Sequence, residues 1–417
     1  MVPNAVWRQS MRRVVVTGIG IASPLGCDYP EASARLRANE TGVIAMPEWD
    51  GIPHFTPRVA APVTIPKELQ LSHKQARTMG RVSLLSTVAT TLAIKDAQLS
   101  AEEIENGTIG LAYGSTNGSS SANQEWVKKL TSPNGFLGMS ATTYLKFMSH
   151  TTSANLAIHF GMKGRVVSTV AACVSASQAI GQGFELIAGG LSDVMVCGGA
   201  EELHFTHAAI FDMLHAASKN FNGTPELTPR PFDAKRDGLV VGEGAGTFVL
   251  EEYERAKAAG KTIYAEIIGY GTNCDGTHVT NPSSDGMRGA MQLALKAAKL
   301  SPDQIDYVNA HATATSVGDI AESKATYEVF GDRVPVSSLK GHMGHTLGAC
   351  GAIEGAFSIA MLREGWIAPT RNLENVDEQC APLDYVKGAS REAKLRRVIV
   401  NKFAFGGINT SLIFAAI

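Results

Sequence analysis

Strand-like segments alternate with helix-like segments along almost the whole of this chain. Short β-branched apolar runs are separated by stretches in which apolar residues recur every three or four positions, the spacing of an amphipathic helix. The pattern predicts strands at 13–17, 109–113, 193–197, 246–251, 265–269, 305–310, 397–403 and 410–414. It predicts helices at 31–38, 82–97, 122–130, 152–160, 287–298, 320–330 and 347–363. Such alternation is typical of a layered α/β fold with largely buried sheets.

The length and charge of the chain limit which kinds of protein it can be. With 417 residues, 44% of them hydrophobic, it is expected to form two domains or one duplicated domain around a large core. The formal net charge of -2 argues against nucleic acid as a partner. No apolar run is long enough to cross a membrane, and residues 1–10 lack the apolar stretch of a signal peptide. We therefore expect a soluble, cytoplasmic protein and leave residues 1–10 out of the fold prediction.

Cys173 is the cysteine whose surroundings suggest chemistry. The six cysteines form no CxxC pair and have no histidine at metal-ligand spacing, which predicts free thiols in a reducing compartment and no metal site. Cys173 follows a β-branched run at 166–170, which predicts a buried strand, and precedes a helix rich in small residues. A thiol at a helix N-terminus is expected to favour the thiolate, although cysteine is often only a small buried apolar residue.

Two histidine-containing segments favour the catalytic interpretation of Cys173. His311 follows a predicted strand and precedes small hydroxyl residues, and His345 follows a glycine-rich turn at the start of a predicted helix. Lys340 stands five residues before His345. A lone histidine is more often structural, but a thiol with two imidazoles suits thioester chemistry, in which the thiolate accepts an acyl group and the imidazoles polarise a carbonyl.

With these segments in place, the sequence resembles the β-ketoacyl-[acyl carrier protein] synthases, the condensing enzymes of the thiolase-like superfamily. The resemblance runs from about Arg12 to the C-terminus and rests on motifs in the family's order. These are the Cys173 segment, Phe232-Asp233-x-x-Arg236-Asp237-Gly238, His311-x-Thr-x-Thr, Lys340…Gly344-His345-Thr346 and Phe403-x-Phe405-Gly-Gly-x-Asn409. The Cys–His–His set is similar to the elongating (type I/II) enzymes, whereas the priming type has Cys–His–Asn.

The resemblance implies an α/β, thiolase-like, duplicated five-layer αβαβα fold. It implies an N-terminal half at 11–260 with the nucleophilic cysteine and a C-terminal half at 261–417 with both catalytic histidines. The family's members are normally dimers, so a homodimer or a heterodimer with a ketosynthase-like subunit is expected.

The resemblance also assigns a reaction. Cys173 would accept an acyl group from acyl carrier protein, and malonyl-carrier protein would then lose carbon dioxide in a decarboxylative Claisen condensation. His311 and His345 would donate hydrogen bonds to the thioester oxygen of the resulting enolate, giving 3-oxoacyl-carrier protein. The backbone N–H groups of Cys173 and Phe405 would form the oxyanion hole, and Phe405 would also gate the acyl pocket.

Supporting residues follow from the same motifs. Lys340 is expected to form an ion pair with Glu354 that anchors the loop of the second histidine, or to assist decarboxylation electrostatically. Thr313 and Thr315 are expected to bind the phosphopantetheine arm of the carrier protein, with turn capping as the alternative.

Asp319 and Glu322 are expected to brace the His311 loop, with a place in the first turn of a surface helix as the alternative. Substrates arrive on the carrier protein, so no cofactor and no metal is expected.

Several positions depart from the family pattern. Ala312 and Ala404 stand where glycine is usual, and alanine disfavours positive φ, so the gate is expected to move less freely. Ile408 and Lys402 stand where Thr and Ser are usual. Asn117 stands where the elongating enzymes have an apolar residue at the acyl-pocket wall. A buried asparagine needs hydrogen-bond partners, which predicts a short, unsaturated, polar or aromatic acyl chain; alternatively, Asn117 is a turn residue that faces away from the pocket.

A basic surface is expected to receive the acidic carrier protein. Lys74 and Arg77 resemble family docking positions, and Lys128 and Lys129 are weaker candidates. The pathway stays open between fatty acid biosynthesis and a specialised polyene- or polyketide-type role.

Two other functions are possible for a chain with these motifs. An acyl-CoA thiolase would need a second catalytic cysteine near the C-terminus, for which Cys350 is a poor candidate. A chain-length-factor-like, non-catalytic partner subunit would typically lack the nucleophile.

Overall fold

The computed structural model describes residues 11–417, so the predictions for residues 1–10 lie outside it. The strands of the first half are β1 (Val14–Ala22), β2 (Ile44–Ala45), β3 (Val59–Ala60), β4 (Ile109–Gly114), β5 (Val166–Thr169), β6 (Val194–Glu201) and β7 (Gly244–Glu252). Its helices are α1 (Tyr29–Arg37), α2 (Arg81–Asp96), α3 (Ala101–Glu105), α4 (Ser120–Leu130), α5 (Ala141–Phe147), α6 (Thr151–Phe160), α7 (Ser175–Ala188), α8 (Phe205–Met213) and α9 (Tyr253–Ala258).

The second half continues with the same kind of alternation. Its strands are β8 (Ala265–Cys274), β9 (Tyr307–Asn309), β10 (Pro335–Ser337), β11 (Trp366–Ile367), β12 (Asp384–Tyr385), β13 (Arg391–Glu392), β14 (Arg397–Phe403) and β15 (Ile408–Ala415). Its helices are α10 (Ser284–Ala298), α11 (Ser316–Phe330), α12 (Lys340–Met343) and α13 (Cys350–Glu364).

The two halves share one strand order. The first half runs β5-β4-β6-β7-β1, and the second runs β10-β9-β14-β15-β8. In each half the first three strands are parallel, and the next two are each antiparallel to the strand before. Antiparallel pairing of β1 with β8 joins the halves, and β12, parallel to β10, is the eleventh strand of the resulting hydrogen-bonded sheet. The division at 260/261 stays a prediction, and the repeated order supports it.

Helices cover both faces of each half of the sheet. Helix α2 packs on β1 and β7, and α10 packs in the equivalent way on β8 and β15. Helices α7 and α13 lie between the halves, where Ile180 of α7 and Phe357 of α13 share one core with Phe248 of β7. Separate cores lie beneath α2 and beneath α10. Because α13 is buried on all sides from Cys350 to Leu362, it needs apolar and small residues all round.

The loops that enter the two central helices are alike, and they position the site. Each begins with a residue of positive φ, Ala172 (+48°) before α7 and Leu347 (+44°) before α13. Each continues as a single 3₁₀ turn that leads directly into its helix. A left-handed backbone at a residue with a Cβ is strained and persists only where the surrounding structure holds it.

The strand before Cys173 is not buried, contrary to the sequence prediction. β5 lies at the edge of the sheet, and of its residues Thr169 alone is buried. Val166 is 44% exposed, and Val170, just after the strand, is 47% exposed. A β-branched run reports strand propensity but does not distinguish an edge strand from a central one, since that depends on which strands pair.

None of the helices in residues 11–417 is long and apolar enough to cross a membrane.

Candidate active site

Cys173 lies in the 3₁₀ turn between β5 and α7, as the sequence predicts. Its side chain is buried, and its carbonyl oxygen accepts a hydrogen bond from Cys350 Sγ at 3.2 Å. Burial raises the pKa of the Cys173 thiol. Loss of solvation thus opposes the thiolate that the end of the helix is expected to favour. The thiol needs a base beside it.

His345 supplies that base. Its Nε2 lies 3.0 Å from Cys173 Sγ. The backbone around it is fixed on both sides, since the His345 N–H donates to Val240 O at 2.7 Å and its carbonyl accepts from Gly242 N–H at 2.9 Å. The glycine-rich turn predicted from the sequence thus holds an imidazole against the nucleophile.

His311 follows β9 and completes the group. Its ring meets that of His345 edge to face, with centroids 5.1 Å apart, and it also contacts the ring of Phe403 at 6.1 Å. Burial lowers the pKa of His311 and of His345 well below the usual range, and the positive charge of Lys340 adds to the effect. Both rings are therefore neutral at physiological pH, which suits hydrogen-bond donation to a developing oxyanion.

Two carboxylates brace the His311 loop, as expected. Glu322 accepts hydrogen bonds from the N–H groups of His311 at 2.7 Å and Ala312 at 2.6 Å. Asp319 accepts from Phe232 N–H at 2.7 Å and Ala314 N–H at 3.1 Å. Asp319 does lie in the first turn of α11, which has an exposed face, but both carboxylates are buried on its inner side and bonded to the loop. Burial raises the pKa of Asp319 to about 6 and that of Glu322 to about 7.

Lys340 forms the ion pair expected of it. Its Nζ lies 2.6 Å from Glu354 Oε1, and both side chains are fully buried. Burial opposes the charge on Lys340, but the Glu354 carboxylate raises the lysine's pKa. A second ammonium group meets the same carboxylate, because Lys402 Nζ lies 3.0 Å from Glu354 Oε2.

The sequence analysis did not assign a role to Lys402. The sequence did contain an indication, since a lysine between Val398–Val400 and Phe403 in a predicted buried strand needs a buried partner. Lys402 Nζ donates to Asn309 Oδ1 and to Asn401 O, each at 2.8 Å.

A cavity of about 490 Å³ opens above the cysteine and the two histidines. Thr313 and Thr315 line it, and their hydroxyl oxygens lie 3.1 Å apart. Thr315 is the N-cap residue of α11 but makes no side-chain capping bond, so its hydroxyl is not used for capping. Phe211, which the sequence analysis missed, lines the same cavity from α8.

Phe405 stands at the cavity beside a glycine pair. Its side chain is 37% exposed, and its ring centroid is 5.7 Å from that of Phe211. Gly406 (φ +88°) and Gly407 (φ +72°) follow in backbone states that favour glycine. Within residues 11–417 neither the Cys173 N–H nor the Phe405 N–H donates to a backbone carbonyl, so neither donor is tied up in the main chain.

Three residues that depart from the family pattern, Ala312, Ala404 and Asn117, do not behave as expected. Ala312 and Ala404 do not have positive φ, so the expected strain at these positions is absent. Asn117 is exposed in the loop between β4 and α4 and does not line the cavity. Asn117 is therefore not a buried polar group at the pocket wall. It gives no reason to expect a short, unsaturated, polar or aromatic acyl chain.

The four basic docking candidates do not line the cavity. Lys74, Arg77 and Lys128 are exposed and available to a partner, whereas Lys129 forms an ion pair with Glu125 at 2.9 Å. Lys129 is the weakest of the four for that reason.

The catalytic group also has donors that a metal ion could use. Cys173, His311 and His345 each bring one ligand atom within 4.8 Å of the others, and a thiolate with two imidazoles is a zinc donor set. The two buried ammonium groups beside Glu354 oppose a divalent cation in this place. That no metal is bound stays a prediction.

Known proteins match this chain over nearly its whole length. Residues 11–256 match the family described as "Beta-ketoacyl synthase, N-terminal domain", and residues 264–374 match "Beta-ketoacyl synthase, C-terminal domain". The chain is 37% identical over 405 residues to 3-oxoacyl-[acyl-carrier-protein] synthase 1 of Haemophilus influenzae, a match that covers 97% of this chain and 99% of that protein.

Two solved structures extend the likeness to the fold. A β-ketoacyl synthase from Burkholderia phymatum has a TM-score of 0.94 at 49% identity and covers 98% of this chain and 100% of that one. The ishigamide ketosynthase/chain length factor has a TM-score of 0.91 at 30% identity, with coverage of 98% and 100%. The predicted thiolase-like fold is confirmed.

Proposed function

Because this chain belongs to the β-ketoacyl synthase family, we propose that it acts as a 3-oxoacyl-[acyl-carrier-protein] synthase with Cys173 as the acyl-accepting nucleophile. The observation that carries the assignment of the nucleophile is the 3.0 Å contact between Cys173 Sγ and His345 Nε2 at the floor of the cavity. A buried thiol with a raised pKa becomes nucleophilic only when a neighbouring base takes its proton.

The first half-reaction loads the enzyme. His345 takes the proton of the Cys173 thiol as the sulfur attacks the thioester carbonyl of an acyl-carrier protein. The N–H groups of Cys173 and Phe405 stabilise the oxyanion of the tetrahedral intermediate. The carrier thiol then leaves with the proton from His345, and the acyl group remains on Cys173.

The second half-reaction forms the carbon–carbon bond. Malonyl-carrier protein enters with Thr313 and Thr315 against its phosphopantetheine arm, and loss of carbon dioxide leaves an enolate. Neutral His311 and His345 donate hydrogen bonds to the enolate oxygen. The enolate carbon attacks the acyl-Cys173 carbonyl, and collapse of the tetrahedral intermediate releases 3-oxoacyl-carrier protein and the thiolate, which regains a proton.

The two alternative functions are disfavoured by specific contacts. A thiolase would use a second reactive thiol, but Cys350 is fully buried with its sulfur directed to the Cys173 carbonyl oxygen. A chain-length-factor-like subunit would not need a complete cysteine–histidine–histidine group, which this chain has.

We also propose that the enzyme is a dimer, a homodimer or a heterodimer with a ketosynthase-like subunit. The edge strand β5 supports this, since an unpaired edge with Val166 and Val170 exposed is a surface that another strand can cover. A cytoplasmic location and substrates delivered by carrier protein, without a cofactor, complete the proposal.

A reconstituted assay tests the reaction. Purified enzyme is given a panel of acyl-carrier proteins together with malonyl-carrier protein, and the carrier-bound products are identified by mass spectrometry. The proposal predicts 3-oxoacyl products two carbons longer than the acyl donor. Condensation of acyl-CoA alone, with no carrier protein present, would support the thiolase alternative instead. The panel also decides between an ordinary saturated chain and a polyene- or polyketide-type chain.

Docking of the carrier protein gives a separate prediction. Arg77→Glu places a negative charge where the acidic carrier is expected to bind, so the KM for acyl-carrier protein should rise roughly fivefold and depend less on salt. The kcat should change little, because Arg77 is exposed and does not line the cavity. Lys394→Glu, a charge reversal at another exposed lysine, is the control. Equal effects of the two reversals would show that overall charge, not docking at Arg77, sets the KM.

A further inference from the structure

The charges of three buried side chains beside the two histidines, Lys340, Lys402 and Glu354, do not cancel within that group. Lys340 and Lys402 contact opposite oxygens of the single carboxylate of Glu354, and all three side chains are 0% exposed. Two ammonium groups against one carboxylate leave one positive charge when all three are ionised. Burial of an uncompensated charge is costly, so a protein that retains one is expected to use it.

Lys402 is held in its charged form by neutral acceptors as well as by Glu354. Its Nζ donates to Asn309 Oδ1 and Asn401 O at 2.8 Å, so all three ammonium protons have an oxygen nearby. Burial lowers the pKa of Lys402 from its ordinary value, and the Glu354 carboxylate opposes this lowering.

The strand register directs Lys402 toward the His311 loop. β14 is parallel to β9 with Val400 opposite Asn309, and Lys402 follows at the end of the sheet where the chain leaves β9 toward His311. The neighbour of Lys402, Phe403, contacts the His311 ring at 6.1 Å. Glu354 reaches the same region from the central helix α13.

We propose that Lys402 is a positioning residue for the condensation: it shares Glu354 with Lys340 and so maintains a net positive charge beneath His311 and His345. That charge keeps both imidazoles neutral and favours the anionic enolate that they receive. A structural interpretation, in which Lys402 merely satisfies Asn309, would not require the charge. The inference rests on the proposed function, because it concerns the same reaction.

Other titratable groups face this centre from every element packed against it. They are Cys173 before α7, Glu201 on β6, Tyr307 on β9, Asp319 and Glu322 on α11, Lys340 on α12, and Cys350 and Glu354 on α13. Glu322 has a pKa raised by burial to about 7, so it titrates in the same range as an ordinary histidine. A pH–rate profile alone would mix these groups, and the histidines must be observed directly.

The test is NMR titration of the histidine ring carbons in selectively labelled full-length enzyme, beside pH–rate profiles. His311→Asn and His345→Asn assign the two resonances. Lys402→Gln removes the charge but keeps a donor for Asn309, and Lys402→Arg keeps the charge. With Gln, both histidine titrations and the acid limb of activity should move upward by about one pH unit, because a nearby positive charge no longer opposes protonation. With Arg, the histidine titrations and the acid limb of activity should move by no more than about a fifth of that shift, because the positive charge is kept.

A second variant covers the case in which Lys402→Gln does not fold. Asn309→Asp leaves Lys402 in place and adds a carboxylate 2.8 Å from its Nζ, so an upward shift is again expected. Histidine titrations unchanged from wild type in the neutral or Asp variant would overturn the inference. If wild-type enzyme fails to condense acyl- and malonyl-carrier protein, the proposed function fails, whatever the histidine titrations show.

Discussion

Replacing Cys173 by serine is expected to abolish condensation, with a loss of at least about a thousandfold in kcat/KM. The hydroxyl is a far weaker acid than the thiol, and burial already raises the pKa of the thiol itself. His345, neutral and close to Sγ, cannot ionise serine to a useful extent in a site built for sulfur. Activity is measured as 3-oxoacyl product, and covalent loading as the intact mass of the enzyme.

Cys350→Ser is the matched control for this variant. Cys350 is also fully buried, and a serine hydroxyl can donate to the Cys173 carbonyl in the same way as the thiol. It should retain most of the condensing activity and still acquire the acyl group. Loading of the Cys173→Ser enzyme, together with loss of activity in Cys350→Ser, would mean that the nucleophile had been assigned to the wrong cysteine.

The alanine variants of the two histidines are expected to differ in which half-reactions they lose. His345→Ala should suppress both acyl loading and condensation, because Nε2 of His345 contacts Cys173 Sγ. His311→Ala should still load Cys173, because the imidazole that contacts the thiol remains. Its release of carbon dioxide from malonyl-carrier protein should fall about a hundredfold or more, the usual effect of losing one oxyanion donor.

Loading and decarboxylation are measured separately, by enzyme mass and by carbon dioxide release. Each variant is the control for the other, since both remove a buried imidazole of the same site. Thermal unfolding confirms that each is folded. Equal loss of loading in both variants would show that the two rings act as one unit and that the contact with Sγ does not distinguish them.

The long elements were readable from the sequence, because strands such as β1, β4 and β6 are buried along their whole length and helices such as α2 and α13 run for about four turns. The cysteine and both histidines were readable for a different reason, since each lies where a strand or a tight turn leads into a helix. The bracing role of Glu322 could be predicted too, because it lies almost two turns into α11, the helix that follows the His311 motif.

Properties that depend on tertiary burial could not be predicted from the local sequence. The pKa of the Cys173 thiol depends on how much protein covers it. A position at the start of a helix predicts a lowered pKa, whereas burial raises it. The exposure of β5 depends on which strands pair, and its apolar composition suits an edge as well as a centre. Asn117 was placed at a pocket wall by its position in a motif, whereas the loop after β4 leaves its side chain exposed.

The sequence marks Lys402 as unusual but does not identify the residue that pairs with it. A lysine among the apolar residues of β14 requires a counter-charge, but Glu354 lies 48 positions earlier in the sequence and reaches it only through the packing of α13. Pairings of this kind follow from the arrangement of layers, so they become visible only when the fold is known.

The most direct test of the central claim follows the acyl group through one cycle. Enzyme is mixed with acyl-carrier protein and digested, and the modified peptide is located by mass spectrometry before and after malonyl-carrier protein is added. The acyl group should appear on Cys173 and then disappear as carbon dioxide and 3-oxoacyl-carrier protein are released in equal amounts. Product formed without an acyl group on Cys173, or an acyl-Cys173 that malonyl-carrier protein does not consume, would contradict it.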